Sequence, residues 1–159
     1  PAFINIDEFR QAREEGKLLP GEVVEYIEVE DTPQGYLDLA IFHILNGQFN
    51  LIWHGQYFDT RVVATREYLD VILAWREYFD FPHFLGEEMI PEYVAAEARM
   101  LDLNPTVTMG EKEVTVSLIL FTKWGGFFRQ TLRFDRAYPH KVVEEPPESL
   151  VEFNCGWKY

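Results

Sequence analysis

Two of the four histidines in this 159-residue chain are its first candidates for acid–base or metal chemistry. His43 and His54 flank Asn46-Gly47, the dipeptide preferred in two-residue type I′ hairpins. The neighbouring segments 36–45 and 48–54 are mostly apolar, so the sequence predicts two antiparallel strands here. In that register the histidines share a face but lie about 13 Å apart along the strand. They cannot bind one metal ion together.

The predicted hairpin has one apolar face and one mixed face. We expect the apolar face in the core, with Ala40, Phe42, Ile44, Phe49, Leu51 and Trp53. The mixed face places His43, Asn50 and His54 together, with Tyr57 beyond the second strand. These four side chains define an alternative site, a cavity that binds or transforms a small molecule. The simpler interpretation is that the histidines are ordinary hydrogen-bonded residues of a sheet.

A second group of potential metal ligands follows His83. Glu88 and Glu92 stand one helical turn apart, and nitrogen with carboxylate oxygen is a usable ligand set. Acidic residues are also favoured in the first turn of a helix, where the helix dipole stabilises them. No second histidine stands at HExxH spacing. We therefore expect neither a metal nor another cofactor.

Nucleophilic chemistry is equally unsupported by the sequence. The single cysteine, Cys155, excludes an internal disulfide, and no predicted helix start or adjacent base would activate its thiol. The chain also lacks the glycine-rich phosphate-binding motifs and the GxSxG nucleophile motif. These absences favour a protein that is not an enzyme.

The charge of the chain is its most informative bulk property. The formal net charge is −13, which repels nucleic acids because their binding depends on cationic side chains. The same charge attracts a basic protein, although acidity also serves solubility alone. Segment 22–30 alternates apolar and acidic residues and is predicted as a strand with a solvent-exposed, acidic face. We expect partner contacts at Glu25, Glu28, Glu30, Glu88 and Glu92.

A hairpin tip inside residues 104–136, the only basic block, is a second candidate contact. Segments 113–122 and 127–134 alternate strongly and are joined by Lys123-Trp124-Gly125-Gly126, which predicts two paired strands. Tryptophan and arginine are enriched in binding hot spots. The candidate contacts are Lys123, Trp124, Phe127 and Arg129. The alternative is structural, with Trp124 folded over the sheet and the basic side chains paired with the acidic helices of the same molecule.

The remaining patterns predict the elements that must position these residues. They are a helix over 6–15, a strand over 61–65, a helix over 66–80 capped by Thr65, a helix over 87–103 with Pro91 in its first turn, and an irregular strap over 137–159. Hairpins and a helical pair, rather than repeating βα units, indicate an α+β fold. We expect a mainly antiparallel sheet with the N-terminal helix and the helical pair packed on one face.

The length is that of one domain, residues 1–159. No apolar run has the length of a membrane span, and the N-terminus lacks the order of a signal peptide, so we expect a cytoplasmic protein. These features favour a non-catalytic acidic binding module, such as an inhibitor, an immunity-type protein or an assembly factor, that engages a basic protein. The sequence leaves the partner's identity and the oligomeric state open.

Overall fold

The protein is described by a computed structural model over residues 27–46, 60–74 and 90–154. These residues form three helices, α1 (Pro33–Asn46), α2 (Arg66–Leu73) and α3 (Glu92–Ala98). They also form six strands, β1 (Arg61–Val62), β2 (Thr106–Met109), β3 (Glu113–Thr122), β4 (Gly126–Asp135), β5 (Val142–Glu144) and β6 (Glu148–Val151). The predicted α+β class with a mainly antiparallel sheet is confirmed.

The sheet is built around the long hairpin of β3 and β4. These strands pair along their full length, from Glu113 opposite Asp135 to Thr122 opposite Gly126. The outer side of β3 carries β1 near the hairpin tip and β2 near the other end. The outer side of β4 carries β6 near the tip and β5 near the other end. All five pairings are antiparallel. Each edge of the described sheet consists of two short strands, β1 and β2 on one side and β5 and β6 on the other.

The β3–β4 hairpin was predicted correctly because apolar and polar residues alternate over 113–118 and two glycines, Gly125 and Gly126, stand at the turn. Its turn depends on Gly126, which has a φ of 74°, a conformation that side chains with a Cβ rarely adopt. A Cβ at Gly126 would also lie 2.1 Å from the carbonyl oxygen of Val151 in β6. Glycine at this position therefore allows both the turn and the close approach of the C-terminal strand.

The two faces of the sheet support separate hydrophobic clusters. One face presents Val114, Val116, Leu118 and Leu120 of β3 to α1, which buries Tyr36, Leu39 and Ala40 against them. The alternate residues Ile119 and Phe121 lie on the other face, where α2 and α3 contribute Leu69, Ile72, Val94 and Ala98. Because side chains alternate along a strand, α1 lies on one face and the pair α2 and α3 on the opposite one.

Helix α1 replaces the first strand of the hairpin predicted at Asn46-Gly47, so that prediction is wrong. The Oγ1 of Thr32 accepts a hydrogen bond of 3.1 Å from the Gly35 N–H, and Pro33 occupies the first helical position, a favoured start. The buried residues recur at helical spacing, namely Tyr36, Leu39, Ala40 and His43. An Asn or Gly also commonly ends a helix, so the dipeptide fits either structure. Phe42, predicted in the core, is 40% exposed.

Three further predictions differ from the structure in extent. Residues 27–30 of the predicted strand 22–30 are not in a strand. The predicted helix 87–103 is shorter at its C-terminus, since α3 ends at Ala98, and Pro91 precedes the helix as its N-cap residue. The predicted strand 61–65 is paired as β1 over two residues, with a further hydrogen bond of 2.8 Å from the Val63 N–H to the Ile119 carbonyl.

Two other segments complete the comparison with the predicted elements. Helix α2 begins as expected, with the Thr65 Oγ1 accepting from the Tyr68 N–H at 3.1 Å. The predicted irregular strap contributes β5 and β6 to the sheet, because short edge strands beside Pro146 and Pro147 give little sequence signal. The predicted helix 6–15, residues 47–54 of the hairpin and residues 75–80 of the second helix lie outside the described residues.

Candidate protein-binding surfaces

The two candidate aromatic residues of the hairpin tip differ in burial. Phe127 is fully buried, and its ring centroid lies 4.7 Å from that of Phe121 within the cluster beneath α2 and α3. Lys123 and Trp124 are half-buried, and each interacts with other parts of the chain. The Phe127 side chain is therefore not accessible from the surface of the described structure.

The arginines of the same sheet face are paired within the molecule. Arg129 in β4 donates a hydrogen bond of 2.8 Å to Glu148 in β6. Arg133 lies 3.3 Å from a carboxylate oxygen of Glu113 and 3.2 Å from one of Glu145. Glu113 and Glu148 are on strands beside β4, and Glu145 lies between β5 and β6. None of these acids is on a helix, where the sequence had suggested the pairing. Arg129 is therefore neutralised by a cross-strand partner of the same molecule.

The acidic segment before α1 is held on the surface by its apolar residues. Ile27 and Val29 pack against the cluster beneath α1, while Glu28 and Glu30 are exposed. Neither glutamate forms an ion pair with any described residue. Asp31 follows and is paired with Arg136, and the hydrogen bonds from that guanidinium hold the pKa of Asp31 below its ordinary value. Glu25 lies outside the described residues.

Helix α3 exposes a second acidic surface that also carries apolar side chains. Val94, Ala95 and Ala98 face the core, whereas Tyr93 and Met100 are 67% and 85% exposed. Residues seven apart lie on the same side of a helix, and the turn continues past Ala98 through a hydrogen bond of 3.0 Å from the Met100 N–H to the Glu97 carbonyl. Glu92 and Glu97 are exposed beside them. Glu88 lies outside the described residues.

The position of this surface is fixed by a contact between α2 and the end of α3. The guanidinium of Arg66, the first residue of α2, donates to the carbonyl oxygens of Arg99 and Leu101. These carbonyls follow α3, where no further helical turn supplies N–H groups that donate to them. Arg99 in turn contacts Glu92 at 3.1 Å along the surface of α3. Arg66 therefore serves as a distant cap, which the sequence did not indicate.

The alternative ligand cavity was predicted on one face of a hairpin, and the first strand of that hairpin is a helix in the structure. His43 lies on α1 rather than on a sheet, its side chain is buried, and its Nε2 is 2.7 Å from Glu144 Oε1 in β5. Asn50, His54 and Tyr57 lie outside the described residues. Within residues 27–46, 60–74 and 90–154, no group of three His, Cys, Asp or Glu side chains is placed to hold a metal ion.

A polar cluster between α1 and the end of β4 went unnoticed in the sequence. The Tyr36 hydroxyl donates to the carbonyl oxygen of Arg136 at 3.3 Å, and the Tyr36 ring meets the edge of buried His140. His140 Nδ1 lies 2.9 Å from the carbonyl oxygen of Asp135. Burial, and secondarily the charge of Asp31, raises the pKa of Tyr36. The cluster fixes α1 on the sheet and presents no accessible reactive group.

No helix among the described residues has both the length and the apolar character needed to cross a membrane. Comparisons of the chain with models of protein families, with curated proteins and with solved structures find no match.

Proposed function

We propose that this protein is a non-catalytic binding module that engages a basic protein through its exposed acidic surfaces. The observation that carries the proposal is the contrast between its charged groups. Arg129, Arg133 and Arg136 are each paired with acids of the same chain, whereas Glu28 and Glu30 are exposed and form no ion pair with the described residues. The excess negative charge therefore faces outward.

The site consists of two parts that differ in chemistry. Glu28 and Glu30, in the acidic segment before α1, supply charge that speeds encounter with a basic partner. The exposed face of α3 adds Tyr93 and Met100, residue types enriched at protein interfaces, beside Glu92 and Glu97. This face replaces the hairpin tip as the apolar contact. The classes that we propose for this protein are an inhibitor, an immunity-type protein or an assembly factor.

Capture from a native lysate, with identification by mass spectrometry, tests the proposal. The wild type is compared with Glu28→Lys/Glu30→Lys and with Glu67→Lys/Asp70→Lys. The second variant makes the same change in net charge at exposed acids of α2 that form no ion pair with the described residues. We expect a basic protein that is captured at low salt, is lost at high salt, and is lost from the first variant but retained by the second.

Two results would contradict the proposal. Equal loss from both variants would mean that the overall charge, and not the segment before α1, attracts the captured protein. A partner retained equally by the wild type and the Glu28→Lys/Glu30→Lys variant would exclude the segment as a contact.

A further inference from the structure

Among the residues that the structure describes, none hydrogen-bonds to the backbone of strand β2 along its outer side. The strand pairs with β3 on its inner side, and no strand of the described residues lies on its outer side. The Gly110 N–H donates to the Glu113 carbonyl at 2.9 Å. Because directly opposed residues alternate between bonded and non-bonded pairs in an antiparallel ladder, Thr106 and Thr108 bond to β3. Val107 and Met109 therefore direct their N–H and C=O groups away from the sheet.

The two edges of the described sheet differ in their content of proline and charge. Around β5 and β6 the edge carries Pro146 and Pro147 between the acids Glu145 and Glu148, and proline and charge are the usual means of preventing strand addition. Strand β2 itself has the sequence Thr-Val-Thr-Met, with neither charge nor proline, and its flanking residues Pro105, Glu111 and Lys112 lie outside the strand. Its β-branched residues also favour the extended conformation. This edge is chemically suited to accept another strand.

We propose that β2 pairs antiparallel with β2 of a second copy of this chain, across a two-fold axis at Thr108. The outward groups of Val107 then bond to those of Met109 in the second copy, and the reverse pair completes the set. Thr108 stands opposite Thr108, a favourable cross-strand pair. Because each copy uses the same strand, the interface is symmetric and the assembly stops at two copies. The two sheets become one continuous sheet.

A second copy fits this edge because its side chains are complementary to those of the first. Val107 and Met109 are partly buried apolar residues on the α1 face, and pairing removes more of both from water. The same register places Lys112 opposite Asn104. Asp102 accepts hydrogen bonds from the Asn104 backbone at 3.2 Å and side chain at 2.6 Å, which holds its carboxylate beside that position. Antiparallel pairing therefore brings Lys112 close to Asp102 of the second copy.

The net charge of −13 on each copy sets the salt dependence of this pairing. Repulsion between two acidic copies weakens at high salt because mobile ions screen it. Self-association should therefore increase with salt. Binding of a basic partner should decrease with salt, so the two proposals are tested by opposite responses and neither depends on the other.

Disulfide crosslinking tests the register directly in the full chain. In a Cys155→Ser background, Thr108→Cys places two thiols at a pair with about 4.5 Å between Cα atoms, a distance that a disulfide spans. Thr106→Cys is the matched control, because its counterpart lies about 13 Å away in this register. At high salt under mild oxidation, we expect Thr108→Cys to form covalent dimers at least about tenfold faster than the control. Equal rates would overturn the proposal.

A second variant separates loss of pairing from loss of the fold. Val107→Pro removes an N–H that points away from β3, so the ladder inside the molecule stays intact. We expect light scattering at high salt to show a dimer for the wild type and a monomer for this variant, with the same circular dichroism spectrum. A wild type that is monomeric at every concentration and salt tested would overturn the proposal, as would a Val107→Pro variant that keeps both its fold and its dimer.

Discussion

Arg136 binds Asp31 through two parallel hydrogen bonds of 2.7 Å, from Nε to Oδ1 and from Nη2 to Oδ2. The remaining nitrogen, Nη1, donates to the carbonyl oxygen of Gly110 at 2.8 Å. One side chain thus joins the segment before α1, the end of β4 and the turn between β2 and β3. Because Glu28 and Glu30 lie immediately upstream of Asp31, this pair also sets where the acidic segment is displayed.

Replacing Asp31 with Asn should lower stability at neutral pH and have no such effect in acid. The pKa of Asp31 is lowered below its ordinary value of 3.8 by the Arg136 hydrogen bonds. A depressed folded-state pKa contributes stability above the unfolded value, and that contribution disappears as the pH falls through the folded pKa. The difference in urea midpoint between wild type and Asp31→Asn should therefore be largest near neutral pH and shrink below 3.8.

Glu28→Gln serves as the control for that measurement, since Glu28 is exposed and has no ion pair among the described residues. Its urea midpoint should follow the wild type at every pH. A difference between wild type and Asp31→Asn that stays constant across the titration would show that the charge of Asp31 does not act through Arg136.

Thr65→Ala should destabilise the protein by about 1 kcal/mol, the usual effect of losing an N-cap hydrogen bond. The Thr65 Oγ1 accepts from the Tyr68 N–H at 3.1 Å, and α2 begins at the next residue. Thr65→Ser keeps the accepting oxygen and should restore most of the loss. Chemical denaturation followed by circular dichroism measures both variants, and an alanine variant as stable as the serine variant would exclude capping by Thr65.

Gly126→Ala should be more harmful than Gly125→Ala. A Cβ at Gly126 meets the backbone of Val151 at 2.1 Å and occupies a φ of 74°, so both strain and displacement of β6 are expected, with a loss of more than about 1 kcal/mol. A Cβ at Gly125 meets only the Thr122 Oγ1 within contact distance. Thermal unfolding of the two variants compares them, and equal melting temperatures would contradict the close approach of β6.

Tyr93→Ser/Met100→Ser should reduce partner affinity by about 2 kcal/mol or more if the exposed face of α3 is the apolar contact. Both side chains are exposed, so the free energy of unfolding should stay within about 0.5 kcal/mol of the wild type, as for most surface changes. The matched control is Val71→Ser, an exposed apolar residue of α2. Isothermal calorimetry with the captured protein compares the affinities of the double variant and the control. Unchanged affinity for the double variant would show that α3 is not part of the interface.

The sequence predicted those parts of the fold whose signal is local and repeated. Apolar and polar residues alternate over 113–118 of β3, and the start of α2 has a capping threonine before an amphipathic run. The segment 36–45 was misread because a short apolar run fits a strand or a buried helix equally well. In the folded protein, the helix start at Thr32 and Pro33 has more influence than the hairpin preference of Asn46-Gly47, and the segment is helical.

The contacts that organise the candidate surfaces had no local signal. Arg136 reaches Asp31 across 105 residues, and His43 reaches Glu144 across 101, so neither pair follows from spacing. Burial of Phe127 depends on how α2 and α3 pack over the hairpin tip. The exposed acidic surface was nevertheless predictable from Glu28 and Glu30, because alternation with Ile27 and Val29 places them outward whether or not the segment is in a strand.

The most direct test of the binding proposal is the affinity of the captured protein for wild type, Glu28→Lys/Glu30→Lys and Glu67→Lys/Asp70→Lys at about 50 mM and about 500 mM salt. The account predicts that the first variant binds weakly and with little dependence on salt, while the second behaves as the wild type, losing affinity only as salt rises. Equal affinities for the wild type and the Glu28→Lys/Glu30→Lys variant at low salt would contradict it.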